Sequence, residues 1–177
     1  MKSISMAKKI LKSDLSVSGL QTLQKELERY QDSLIYKCRL LAEKLSERGV
    51  EIARIQIADL DAIFTGELIQ SLHSEYKGST QYGAIFAVVA SSLHAIYVEM
   101  GTGMVGAAHP YPGKLPVVYA QGKTIRQLAD GRYGWFYQDD NGDWWFTEGM
   151  PSRPFLYNTS LELQKEVIKI AKEIFGE

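Results

Sequence analysis

Between Ser16 and Gly49 the apolar residues recur at a spacing that a helix satisfies and a strand does not. Leu20, Leu23, Leu27, Tyr30, Leu34, Cys38, Leu41 and Leu45 follow one another at intervals of three and four, which stacks them on one helical face. Gln24, Glu28, Arg29, Asp32, Lys37, Arg39 and Lys44 fall on the others. Ser18 is placed to cap the start and Gly49 to end the helix. About thirty residues at 1.5 Å each make an element of roughly 45 Å. A single domain of 177 residues does not need a helix that long. Its projecting part is expected to pack on something, with a sheet and a neighbouring subunit as compatible covers. Cys38 lies on the apolar face, which predicts a buried thiol and not a nucleophile.

The C-terminal third repeats the signal. Leu156, Leu161, Leu163, Val167, Ile170, Ala171 and Ile174 define the apolar side of a helix from Phe155 to Phe175, stopped by Gly176. Between the two helices the pattern turns to strands. Tyr82–Ala90 is a run of small and β-branched residues, and Gly78-Ser79-Thr80 reads as a turn. Together they predict an antiparallel hairpin with arms near 68–77 and 81–91. Val50–Ala62, with Ile52, Ile55 and Ile57, fits strand, loop or a second helix equally well. Pro110, Pro112 and Pro116 predict an irregular stretch over 107–116, Val117–Tyr119 a brief strand, and Thr124–Ala129 a helical turn. Tyr133–Glu148 carries the strongest strand signal, because Asn141-Gly142 is the preferred type I′ hairpin turn. A two-residue turn there sets Tyr137 opposite Phe146 and Gln138 opposite Trp145. Trp135, Tyr137, Trp144 and Phe146 would then share one face, and Phe136 and Trp145 the other. Aromatics on both faces imply cover on both.

These elements predict an α+β fold: an antiparallel sheet packed by a long N-terminal helix and a C-terminal helix, with an inserted β-hairpin. One domain is expected over 1–177, with the hairpin at 133–148.

The formal net charge is −1, against a protein that grips nucleic acid through a basic surface. A single cysteine, Cys38, excludes an intramolecular disulfide framework. No run approaches the ~18 apolar residues of a membrane span, and the N-terminus lacks the apolar core of a signal peptide. A soluble protein made and kept in a cytoplasm is expected.

Patterns that carry chemistry fail one by one. Gly101-Thr102-Gly103-Met104-Val105-Gly106 matches the glycine spacing of a dinucleotide fingerprint, but that motif needs a strand before it and a helix after it. Ala107-Ala108-His109-Pro110 argues against the helix. Asp139, Asn141 and Asp143 mimic the opening of a calcium loop, yet Trp144 stands where glycine is needed and Met150 where glutamate is needed. His73, His94 and His109 are isolated, no metal-ligand spacing exists, and no Gly-x-Ser-x-Gly elbow is present. Glu99 is the one carboxylate set in an apolar run, and a structural role is the expectation for it. No enzyme activity, metal or cofactor is expected.

Glu99 sits in His94-Ala95-Ile96-Tyr97-Val98-Glu99-Met100-Gly101-Thr102-Gly103. A buried carboxylate must find donors. The nearest in sequence are the Thr102 hydroxyl and the backbone N–H groups around the two glycines, so Glu99 is expected to pin a chain reversal there. Leu93, Ile96, Tyr97 and Met100 repeat at helical spacing while Ile96, Val98 and Met100 alternate, so the stretch fits helix or strand. Tyr97-Val98-Glu99-Met100-Gly101-Thr102-Gly103 resembles the signature of the tail-completion, or head–tail joining ("minor capsid"), proteins of long-tailed phages. Met150-Pro151-Ser152-Arg153-Pro154-Phe155-Leu156 and, more weakly, Thr65-Gly66-Glu67-Leu68 resemble further pieces of it, in the same order. The positions that carry the resemblance are Thr65, Gly66, Leu68, Tyr97, Glu99, Gly101, Thr102, Gly103, Pro151, Arg153, Pro154 and Phe155. It implies a short helix ending at Gly101, an insertion over 104–147 between two motifs that lie closer together in the short version of the family pattern, and a structural protein of the virion neck, assembled in the bacterial host cytoplasm. Its partners would be copies of itself in a ring of six-fold register, head-closure or connector proteins, and tail-terminator or tail-tube proteins. DNA would pass through without specific binding. Trp135, Tyr137, Trp144, Trp145 and Phe146 are candidates for a subunit interface. The same aromatic hairpin also resembles one unit of the tandem repeats that bind choline or cell-wall sugars, which makes a carbohydrate-binding module the alternative.

Overall fold

The computed structural model describes residues 11–14, 16–62, 66–115, 125–139 and 141–176. It is an α+β protein. Helix α1 spans Val17–Asp59, 43 residues, or roughly 65 Å. It begins two residues earlier than expected, because Ser16 and not Ser18 is the cap: the Ser16 hydroxyl accepts the Gly19 N–H at 3.0 Å. It does not stop at Gly49. There the missing side chain serves close approach, since a Cβ would lie 2.6 Å from Val88 Cγ2 and 3.5 Å from Leu163 Cδ2. Beyond it Val50, Ala53 and Ile57 keep the helical spacing and are buried. Ile55, which blurred the pattern, is 53% exposed.

A single helical turn, α2 (Glu67–Gln70), leads into β1 (Leu72–Thr80) and β2 (Gly83–Ala90), an antiparallel pair. The turn is at Gln81-Tyr82, not at Gly78-Ser79-Thr80. Gly78 instead sits where the register shifts, in a bulge after Tyr76. The hairpin lies along α1. Ser74 and Ala87 meet Ser46 near its middle, and Gly83 comes against Cys38. Cys38 is exposed, because the body thins out at that level and does not cover it.

Two short helices follow, α3 (Ala95–Met100) and α4 (Gly103–Ala108). The second occupies part of the stretch expected to be irregular. The prolines begin only after it, so they set its end and not its start. Residues 117–119, expected as a strand, lie outside the described residues. Arg126–Gln127 forms β3 and not a helical turn, because its backbone pairs with Tyr133 and Gly134. With β4 (Tyr133–Gln138) and β5 (Trp144–Thr147) it makes a three-stranded antiparallel sheet.

The aromatic hairpin is one residue out of the expected register. Phe136 opposes Phe146, Tyr137 opposes Trp145, and Gln138 opposes Trp144. Asp139 N–H bonds the Asp143 carbonyl at 2.9 Å, and Gly142 N–H bonds the Asp139 carbonyl at 3.0 Å. Gly142 has φ +89° while Asn141 stays at negative φ. A type I′ turn needs positive φ at both, so the ladder closes at Asp139 and Asp143 around a longer loop. The Asp139 carboxylate organises it, accepting the N–H groups of Asn141 and Asp143 and the Trp145 indole N–H, each at 2.9 Å.

After a short β6 (Gly149–Met150), α5 runs over Phe155–Phe175 and ends at Gly176 in the left-handed conformation. It packs on α1. Arg48 forks onto Glu166 at 2.8 and 2.9 Å, Leu163 reaches Gly49, and Lys37 lies over the Phe175 ring. Val50, Ala53 and Ile57 of α1, Leu68, Leu72, Ala95 and Phe155 form the buried core.

Candidate functional site: one junction from distant motifs

The segments around Glu99 and Arg153 are about fifty residues apart and cross at the core's edge. Glu99 is 5% exposed. Its carboxylate does not pin the Gly101–Gly103 turn. It accepts the Leu156 N–H at 2.8 Å and the Tyr157 N–H at 2.9 Å. These are the unpaired donors of the first turn of α5, where a negative charge also meets the positive end of the helix dipole. Pro154 stands at the N-cap of α5 with no side-chain acceptor to offer, so the distant Glu99 serves in its place. Burial raises the Glu99 pKa, and the two backbone donors partly counter it.

The backbones are stitched together around this bond. Arg153 N–H bonds the Val98 carbonyl at 2.8 Å, and the Ser152 hydroxyl bonds the Glu99 carbonyl at 2.7 Å. Thr102 and Gly103 pair with Met150 and Gly149, and the Thr102 hydroxyl accepts the Met150 N–H at 3.2 Å. Gly101 and Gly103 have φ of +77° and +63°, a region that side chains disfavour. Space forbids a side chain too: a Cβ would lie 2.6 Å from Ser152 N at Gly101 and 2.4 Å from the Glu148 carbonyl at Gly103. The glycines therefore admit the second strand of chain.

Arg153 extends the junction to α1, donating from Nε to the Leu60 carbonyl at the helix end, at 3.1 Å. Phe155 is fully buried, beside Leu68. Gly66, left-handed at φ +78°, caps α2, and Glu67 accepts the Ser92 hydroxyl at 3.1 Å. Glu99, Gly101, Thr102, Gly103, Pro151, Arg153, Pro154 and Phe155 thus belong to one connected region; Leu68 shares the core cluster of Phe155, and Gly66 stays at the start of α2. Tyr97 does not point into it and is 54% exposed. Thr65 lies outside the described residues.

The glycine-rich fingerprint meets a different obstacle from the expected one. A helix does follow, but it has six residues, and the element before it is α3 and not a strand. Beside Glu99, a groove of about 490 Å³ opens between α3 and α5, lined by Ile96, Met100, Tyr111, Leu115, Leu156 and Tyr157. Tyr111 and Tyr157 meet edge to face at 5.7 Å. The groove is apolar, and both Glu99 oxygens are already engaged. Among the described residues no three His, Cys, Asp or Glu side chains come together as metal ligands. No described helix is long and apolar enough to cross a membrane.

The aromatic ribbon is not covered on both faces. Trp144 is 67% exposed and Trp145 53%, and Phe136 and Tyr137 are about half exposed. The corrected register puts Trp135, Tyr137 and Trp145 on one face and Phe136, Trp144 and Phe146 on the other. Trp135 reaches back to Gly103, and Phe146 packs on Phe136 under Arg132.

Compared with known proteins, the chain matches no family model, no curated protein and no solved structure.

Proposed function

We propose that this chain is a structural subunit of the neck of a long-tailed phage or prophage particle, a head–tail joining or tail-completion protein. The reading starts from the resemblance of the segments around Gly66–Leu68, Tyr97–Gly103 and Met150–Leu156. The observation that carries it is that two of these segments, Tyr97–Gly103 and Met150–Leu156, form one hydrogen-bonded junction around Glu99 and Arg153, while Leu68 shares the core cluster of Phe155. A motif set inherited with a fold should be physically connected, and the contact between these two segments supports the reading. Copies of the chain would form a ring in register with a six-fold tail, between head-closure and tail-terminator proteins. A net charge of −1 suits a conduit, since a strongly basic wall would retain the passing polyanion.

Deleting the encoding gene from the parent phage tests this. Filled heads and finished tails should accumulate unjoined, and added protein should join them. Normal virions would remove the reading, and loss of heads alone would move the protein to capsid assembly.

The exposed Tyr137–Trp145 pair supports a second reading, a surface on which a sugar or choline stacks. Saturable quenching of the ribbon tryptophans by choline or muropeptides would favour it. The placement of Trp144 and Trp145 on opposite faces of a single hairpin counts against a closed cage.

A further inference from the structure

Among the described residues, the body of the molecule ends before α1 does. The hairpin turn reaches α1 at Cys38, and the end of α5 reaches it at Lys37. Residues 17–36 continue beyond that level for roughly 30 Å. Val17 is 76% exposed, and Leu20 and Leu27 about half. The apolar pattern changes at the same point. Within the body a wide face is covered, taking in Ser46, Gly49, Val50, Ile52, Ala53 and Ile57. Outside it Leu20, Leu23, Leu27, Tyr30 and Leu34 alternate in steps of three and four without interruption, the narrow seam that packs against one other helix. A helix of about twenty ordinary residues is marginal in water without such packing.

A matching surface exists on α5. Leu161 and Ile168, seven residues apart on its outer side, are 42% and 58% exposed. The 21 residues of α5 nearly match residues 17–36 of α1 in length. Their charges complement each other at the centre. Leu27 is bracketed by Glu26 and Glu28, while Lys169, Lys172 and Lys165, the last in an ion pair with Glu162, surround Ile168. Two α1 seams laid antiparallel about Leu27 would instead bring four glutamates together. A membrane or nucleic acid is a poor occupant, because residues 17–36 hold two basic and three acidic side chains.

We propose that residues 17–36 of α1 pack along the Leu161–Ile168 face of α5 on a second copy of this chain. The contact is heterologous, one patch meeting a different patch, so repetition builds a ring or a filament and not a closed pair. This deepens the ring reading by naming its interface, but it can be tested on the purified protein without any phage.

Leu27→Cys and Ile168→Cys are made separately in the full chain carrying Cys38→Ser, and treated with a short bismaleimide at high protein concentration. The mixture of the two should give a covalent dimer that neither gives alone, and the double variant should give a ladder. Glu26→Lys with Glu28→Lys should abolish the product, and Lys165→Glu with Lys169→Glu on the other partner should restore it. Self-linking of Leu27→Cys would overturn the proposal in favour of paired α1 seams. Absence of product from the mixture, with both variants folded by circular dichroism, would overturn it outright. Either result leaves the neck reading to the gene deletion.

Discussion

Replacing Glu99 by alanine should separate the junction from the rest of the fold's stability. The change removes the acceptor of the Leu156 and Tyr157 N–H groups, at 2.8 and 2.9 Å, and the charge at the start of α5. A buried donor left without a partner costs about 1–3 kcal/mol. Two terms reduce the sum for the pair. The groove beside Glu99 is open, so water can reach the freed donors, and removing the carboxylate also removes its desolvation cost, the leading cause of its raised pKa. The net loss should therefore be about 1–3 kcal/mol, or roughly 2–12 °C in Tm for a chain of this size. Glu99→Gln retains one acceptor but turns an amide donor toward the other N–H, so it should fall between wild type and alanine. Urea denaturation followed by far-ultraviolet circular dichroism reads the loss. An unchanged midpoint in Glu99→Ala would refute the capping argument and leave the residue's place in the motif to contact with a partner.

The same carboxylate has a signed pH dependence. Because burial raises its pKa above 4.5, the folded state holds the proton more tightly than the unfolded chain. Its contribution is then most favourable below 4.5 and declines as pH rises through the raised value; Glu99→Gln should remove that decline from a stability–pH profile. Glu166 has the opposite sign. Arg48 lowers its pKa, so its contribution is present above 4.5 and lost as pH falls through the lowered value, and Glu166→Gln should flatten that acid limb. Gly49→Ala should destabilise by about 1–3 kcal/mol through overpacking against Val88, despite the better helix propensity of alanine, and Val88→Ala in the same chain should recover part of the loss in urea melts. Gly142→Val should cost the ribbon about 1–2 kcal/mol for a β-branched residue at positive φ, while Asn141→Ala should cost little. Tryptophan fluorescence should report the loss, with the helical circular dichroism transition unmoved; a common shift of both would make the ribbon part of the core.

The helices were legible because their signals are local and repeated. Helix α3 has six residues, too few for its periodicity to separate helix from strand, whereas the end of α5 at Gly176 follows from a residue next to the feature it controls. Gly49 was misread for the same reason. A glycine after a periodic run marks a helix end when only the run is visible, and here its purpose lies on Val88 and Leu163, distant in sequence. The hairpin register turned on Asp139, whose carboxylate holds two backbone N–H groups and an indole. That competes with the two-residue turn that Asn141-Gly142 suggests alone. The need of Glu99 for donors was visible, but not their identity: backbone N–H groups carry no residue type, so Leu156 and Tyr157 left no sign beyond their place at a helix start.

The order of the core in the chain also has a kinetic side. The inner face of α1 around Ala53 and Ile57 is closed by Phe155, nearly a hundred residues downstream. At about 5–20 residues per second, a ribosome takes roughly 5–20 s to make the intervening chain. During that interval the β1–β2 hairpin can shelter one side of the helix, while the side that α5 will cover stays open to water. Early pausing or truncation before residue 155 should therefore yield a chaperone-bound or aggregated product and not a smaller folded unit.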